Sequence, residues 1–217
     1  MRLIWIVAAV AAATGTGGAV DVAMDRAAVD AAVTLGQSRT ERERLRYHAD
    51  YRFTINRPPL DYVEVVTPFR RVVLAAEARA LAGDRRFGQR QALELLAAAD
   101  GQLDVRVELT FHPLNTYVGV PEYGIQLVTR AARPAQAPVA PVSVERIPRY
   151  GARVDGTPVF RPAPGAAGGG KSQPLLGGTV VAHFDGPSLD TNGNYEVIME
   201  DAGKELGRVS VDFGKLR

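Results

Sequence analysis

The spacing of hydrophobic residues changes near residue 102 of this chain. Between residues 25 and 101, apolar residues recur at intervals of three and four, as on one face of an α-helix. From residue 103 they recur at every second position, as on one face of a β-strand. The change predicts an α+β protein with a mainly helical region, 21–101, containing an antiparallel helix pair. An antiparallel β-sandwich-like region is expected to follow it.

The helical region contains one segment with clear signals at both ends. Thr67 suits the N-cap, Pro68 suits the first helical position, and Gly83 stands where a C-terminal cap is expected. A break at 36–38 separates two earlier helices, and Pro58-Pro59 ends a short strand at 51–55. The predicted helices are 25–33, 41–50, 68–82 and 86–99.

The clearest strand is 103–111, where apolar side chains alternate with Asp104, Arg106, Glu108 and Thr110. It opens a β segment, 102–130, which a Pro/Ala-rich connector, 131–141, joins to a second β-rich region, 142–217. That region contains a Gly/Pro loop predicted to be flexible over 162–178. The other predicted strands are 117–120, 123–129, 142–147, 154–160, 179–184, 195–200 and 208–213.

The first twenty residues have the pattern of a secretory signal peptide. A basic start, Met1-Arg2, precedes the apolar run 3–13 and a group of small residues, with cleavage expected after Ala13 or Ala19. The run is too short to cross a bilayer, which needs about 20 apolar residues. A buried N-terminal helix is the alternative. The protein is therefore expected to be exported, and not to span the membrane after cleavage.

The absence of cysteine limits both the cellular compartments that suit the protein and the chemistry that its side chains can perform. None of the 217 residues is cysteine, so disulfides, thiol catalysis and a lipidated N-terminal cysteine are excluded. Small exported animal domains are often disulfide-rich, whereas a chain without cysteine suits a bacterial envelope. The predicted location is periplasmic or secreted.

Charge is unevenly distributed along a chain whose net charge is only +2. Residues 39–90 contain twelve Arg against seven Asp and Glu, a net +5, and residues 185–205 contain six acids against one Lys, a net −5. Such segments are either docking surfaces or ordinary solvated faces, and we favour the second interpretation. Because the arginines alternate with acids, no nucleic-acid partner is expected.

The stretch Gly165–Ser172 matches the P-loop pattern G-x-x-x-x-G-K-[ST], which binds nucleotide phosphates. A functional P-loop needs a strand before it and a helix beginning at the Lys-Ser pair. Here prolines 162 and 164 exclude a central strand, and Gly177-Gly178 would end a helix at once. We therefore interpret the stretch, Lys171 included, as a linker and predict no nucleotide cofactor.

Three histidines are scattered through the sequence as His48, His112 and His183. No zinc motif or nucleophile elbow surrounds them, so they are interpreted as surface or rim residues. A serine–histidine–acid site formed only by the fold remains open.

The segment from Asp190 through Asn192 to Asn194 resembles the start of a calcium loop, with Asp201 at its twelfth position. Tyr195 stands where such a loop requires glycine, so a hairpin turn is favoured. No catalytic, cofactor-binding or metal-binding residue is assigned.

An aromatic segment, residues 111–117, lies at the end of the clearest strand with Tyr123 close by. Aromatic and proline residues at strand ends can form a platform for a ligand or peptide, or simply pack into the core. We interpret the protein as a non-enzymatic binding or assembly module of the envelope, whose partner is an unidentified envelope protein or peptide. The alternative is an exported hydrolase.

Overall fold

The computed structural model describes residues 20, 23–130, 137–151 and 174–217. Within these ranges the chain forms four α-helices and eight strands in two antiparallel sheets, so the predicted α+β class is confirmed. Several predicted features lie outside the described residues: residues 1–19 of the signal peptide, 131–136 of the connector, the strand 154–160 and the P-loop match with the rest of 162–173.

The helices begin and end where the sequence provides caps. The Asp25 side chain accepts a hydrogen bond from the Ala28 amide at 2.7 Å, and Thr67 accepts one from the Arg70 amide at 3.2 Å. Gly83 follows the third helix with φ = 81°, a left-handed conformation that favours glycine. The helices are α1 (Arg26–Gly36), α2 (Glu41–Ala49), α3 (Pro68–Leu81) and α4 (Gln89–Ala99).

The strands divide into a five-stranded sheet and a three-stranded sheet. The larger has the order β1-β2-β3-β6-β5 and the smaller has the order β4-β7-β8. The strands are β1 (Arg52–Arg57), β2 (Leu60–Val66), β3 (Leu103–Thr110), β4 (Gly124–Thr129), β5 (Ser143–Tyr150), β6 (Leu175–Phe184), β7 (Asn194–Asp201) and β8 (Lys204–Asp212).

The predicted strands differ from the structure in several places, including β5, which continues to Tyr150, and β8, which begins at Lys204. Strand β2 lies within the region expected to be mainly helical, where it was not predicted. Residues 117–120 form a loop, in which the Tyr117 amide is bound by the Asn115 side chain at 3.0 Å. Strand β6 begins at Leu175, so residues 175–178 belong to it rather than to the predicted loop. A Cβ added to Gly177 would lie 2.1 Å from the Leu109 backbone oxygen, so glycine here permits close approach of the neighbouring strand.

The main hydrophobic core includes residues from both sheets. The alternation predicted for β3 is confirmed, because Leu103, Val105, Val107 and Leu109 are all buried. They belong to one cluster with Ile125, Leu127, Tyr195, Val197, Met199 and Val211 of the smaller sheet. A second core joins α1, α3 and α4 and is formed by Val29, Ala32, Phe69, Val72, Val73 and Ala92.

In the part of the chain described, no helix is long and apolar enough to cross a membrane.

Candidate functional site: an aromatic groove and two histidine pairs

The aromatic segment after β3 is partly buried and partly exposed. Phe111 is buried, and its ring centroid lies 5.0 Å from that of Tyr117, which is 47% exposed. Tyr123 is buried beside them, and this burial raises the pKa of its hydroxyl, with a further contribution from its hydrogen bond with Tyr117. The three rings that the sequence analysis singled out along the chain therefore lie close together in the structure.

The loop that carries Tyr117 is held in place by side-chain hydrogen bonds. Asn115 Nδ2 donates to the backbone oxygens of His112 at 2.8 Å and Leu175 at 2.9 Å. The Nδ1 atom of His112 accepts from the Leu114 amide at 3.1 Å. These bonds fix the loop to β6, so its exposed side chains are presented from an ordered backbone. His112 therefore acts as a turn residue, in agreement with its predicted position on the rim.

Two cavities share the lining residues 115–117 of this loop, and we call them together the aromatic groove. The first has a volume of about 660 Å³ and the second about 530 Å³. Leu114 is 83% exposed and Val118 is 93% exposed, so this loop presents two aliphatic side chains to solvent. Besides the loop, the lining includes Pro58, Pro59, Phe111, Tyr123, Tyr150, Pro174, Leu175, Asp201 and Leu206.

His48 pairs with a carboxylate between two helices. Its Nε2 atom lies 2.7 Å from Oε2 of Glu77, and the other oxygen of Glu77 accepts from Arg44 Nε at 2.8 Å. Arg44 also donates to the Ser38 backbone oxygen. These contacts attach α2 to α3, so His48 is a partly buried residue with a structural role.

His183 makes the second histidine–carboxylate pair, on the outer face of the large sheet. Its Nδ1 atom lies 2.8 Å from Oδ1 of Asp104, whose side chain is only 2% exposed. Arg71 Nη2 of α3 donates to the same oxygen at 2.9 Å, and Arg106 Nη2 lies 3.8 Å from the other oxygen. Sequence reasoning missed this cluster, because Asp104 and His183 are 79 positions apart and only the β3–β6 register makes them neighbours.

The segment considered as a calcium loop forms a turn, but not the hairpin turn favoured from the sequence, because β6 and β7, the strands on either side of it, belong to different sheets. Asp190 accepts from the Asn192 amide at 3.0 Å, and its backbone oxygen accepts from the Gly193 amide at 2.9 Å. Asp201 is at the far end of β7, and a strand of eight residues is about 23 Å long. The oxygens at the two ends therefore cannot share one ion. Among the described residues, no group of three or more His, Asp or Glu is positioned for a metal.

Many charged side chains in the basic segment, residues 39–90, and the acidic segment, residues 185–205, form ion pairs. Arg52 and Arg70 both contact Glu64, and Arg44 contacts Glu77. In the acidic segment, Glu196 and Glu205 share Arg208. This pairing agrees with the interpretation of both segments as ordinary faces of a folded domain.

The chain matches no protein-family model, no curated protein and no solved structure. Its fold and its side-chain geometry are therefore the observations on which a functional assignment rests.

Proposed function

We propose that this chain is an exported bacterial envelope protein that binds a peptide segment of an envelope partner in the aromatic groove. One observation carries the proposal: two aliphatic side chains, Leu114 and Val118, are almost fully exposed on a loop in which the backbone amides of residues 114, 115 and 117 are hydrogen-bonded. Ordered exposed apolar groups lose little conformational freedom on binding, which favours association.

The shape and chemistry of the groove support a peptide as the ligand. Tyrosine and proline side chains offer broad apolar contact, while Asn115 and Thr116 provide polar groups between them. None of the described residues that line the first cavity is charged, so an apolar or proline-containing segment suits this lining better than a charged one. A volume of about 660 Å³ accommodates several side chains.

The binding proposal is tested by site-specific photo-crosslinking in the native host. A photoreactive phenylalanine analogue replaces Val118 in one variant and Leu114 in another. Leu81, which is 74% exposed on α3, provides the matched control. We expect the two groove positions to capture the same envelope protein and the Leu81 position not to capture it. Identical products from all three positions, or no product from either groove position, would contradict the proposal.

Export is the second part of the proposal and rests on the pattern of residues 1–20. The mature N-terminus should lie between about residues 14 and 22. Mass spectrometry of the protein isolated from its native host measures this directly. A chain that retains Met1 in the cytoplasmic fraction would exclude this location.

A further inference from the structure

Three side chains with complementary chemistry lie in one row across β3, β6 and β5. In the strand register Asp104 is opposite His183, and His183 is opposite Ser143. Directly opposed residues of antiparallel strands share a face, with Cβ atoms about 4.5–5.5 Å apart. The row therefore contains an acid, a histidine and a hydroxyl in the order found in nucleophilic catalytic sites.

The environment of His183 favours a particular arrangement of its protons. Asp104 is buried, and its Oδ1 atom accepts a hydrogen bond from Arg71 Nη2 at 2.9 Å, so it acts as an acceptor toward Nδ1 of His183 at 2.8 Å as well. In neutral imidazole the proton consequently resides on Nδ1, directed at Asp104, and Nε2 has a free lone pair. The His183 side chain is 22% exposed and Ser143 is exposed, so solvent and small molecules can reach this end of the row.

We infer that Ser143, His183 and Asp104 form a nucleophilic site that hydrolyses small activated esters. Ser143 Oγ attacks the ester carbonyl carbon while His183 Nε2 takes the hydroxyl proton, and the bond to the leaving alcohol or phenol breaks with return of that proton. Water then cleaves the acyl-serine in the same manner, which releases the carboxylic acid and restores Ser143. Asp104 acts as a positioning residue, because it holds the imidazole through Nδ1.

This activity goes beyond the peptide-binding function and uses none of the residues of the aromatic groove. Ser143 is exposed and His183 is partly exposed, so a substrate bound beside them stays in contact with solvent, and catalysis is expected to be slow and restricted to esters with good leaving groups.

The test uses the purified full-length chain with 4-nitrophenyl acetate as substrate. Ser143→Ala and His183→Gln should each lower the rate of nitrophenolate release at least about 100-fold, the usual scale of general-base assistance. Ser210→Ala is the matched control, because Ser210 is also exposed on a strand but is opposite Glu196 instead of a histidine. Its rate should equal that of the unmodified chain. Circular dichroism of each variant verifies the fold.

Covalent labelling identifies the nucleophile independently of turnover. A fluorophosphonate should modify Ser143 in the intact chain, as located by peptide mass spectrometry, and the label should be lost in His183→Gln. Labelling at another residue, or the absence of labelling and hydrolysis in folded protein, would overturn the inference. Full activity in Ser143→Ala with loss in His183→Gln would also overturn it, because histidine itself would then be the nucleophile.

Discussion

The Oε1 oxygen of Glu64 lies 3.4 Å from Nη2 of Arg70, a guanidinium group that is only 2% exposed. The same oxygen accepts from Arg52 Nη2 at 2.7 Å, and Arg70 Nη1 donates to the Val65 backbone oxygen at 2.6 Å. Arg70 also lies 5.0 Å from the centre of the Tyr51 ring. A buried cation is tolerated only with such partners, so Glu64 is the group that balances this charge.

This pairing predicts a loss of stability in acid. Burial alone would raise the pKa of Glu64, but Arg70 and Arg52 outweigh it and hold the pKa below its ordinary value. A pKa lowered by folding adds stability above the unfolded-state pKa of about 4.3, and this contribution disappears as the pH falls through the folded-state value. Glu64→Gln should lower the free energy of unfolding by about 2 kcal/mol at pH 7 and by much less at pH 3.

Urea denaturation at several pH values between 3 and 7 measures this difference. Glu145→Gln on the exposed strand β5 is the control and should follow the unmodified chain throughout. If the difference in free energy of unfolding between Glu64→Gln and the unmodified chain stayed constant with pH, the ion pair would not be the cause of that difference.

The contact between α1 and α3 depends on the absence of a side chain at Gly36. A Cβ added there would lie 2.4 Å from the Val73 backbone oxygen and 2.7 Å from the Ala76 Cβ. Gly36→Ala should therefore separate the helices and lower the stability by about 1–3 kcal/mol. Gly119→Ala, where no atom lies within 4 Å of the added Cβ, should change it by no more than about 0.5 kcal/mol. Thermal unfolding of both variants makes the comparison, and equal melting temperatures would contradict the close packing.

The sequence predicted elements whose signals are local. The alternation in β3 and the caps Thr67 and Gly83 each depend on a few adjacent residues, and all three are confirmed. Strand β2 was missed because its burial comes from pairing with β1 on one side and β3 on the other, which the local pattern does not reveal. The predicted strand at 179–184 is shorter than β6, because two adjacent glycines suggest a loop when the sequence is considered alone. Their role becomes clear only from the close approach of the neighbouring strands.

The contacts in the candidate sites are also of two kinds: local contacts, which the sequence indicates, and long-range contacts, which it does not. The rings of Phe111 and Tyr117 are six positions apart, so their meeting could be anticipated from the sequence. The contact of Asp104 with His183 arises from sheet register, and the contact of Asp104 with Arg71 arises from the docking of α3. Such long-range contacts are fixed by tertiary packing, and a single sequence contains no direct signal of them.

Strand β3 provides a direct test of which face of the large sheet belongs to the core. Val107 is 1% exposed and lies between Val63 and Val180 of the two neighbouring strands. Val107→Asp would bury a carboxylate without a partner and should lower the stability by at least about 4 kcal/mol. Glu108→Gln on the opposite face should cost about 1 kcal/mol, because only its contact with Arg149 at 3.2 Å loses its charge. Chemical denaturation measures the loss of stability in both variants. A larger loss in Glu108→Gln than in Val107→Asp would contradict the assignment of the two faces.

The Tyr51 hydroxyl joins two parts of the chain that are 166 positions apart. It donates to the backbone oxygen of Arg217 at 2.8 Å and accepts from the Arg217 amide at 3.0 Å. It also accepts from the Tyr47 hydroxyl at 3.0 Å, while Tyr51 itself is only 2% exposed. One hydroxyl thus satisfies three polar groups at the junction of helix α2, strand β1 and the segment after β8.

Tyr51→Phe should lower the free energy of unfolding by about 1–3 kcal/mol, because it leaves buried polar partners unsatisfied while it retains the ring. The backbone oxygen of Arg217 keeps its hydrogen bond from Thr67, so the larger change is expected at the Arg217 amide. Hydrogen exchange of that amide should accelerate more than exchange in β3, since local release requires less energy than global unfolding. Tyr150→Phe, at a 47% exposed tyrosine, is the control and should remain within about 0.5 kcal/mol of the unmodified chain. Unchanged stability and unchanged exchange in Tyr51→Phe would show that this junction is held by side-chain packing alone.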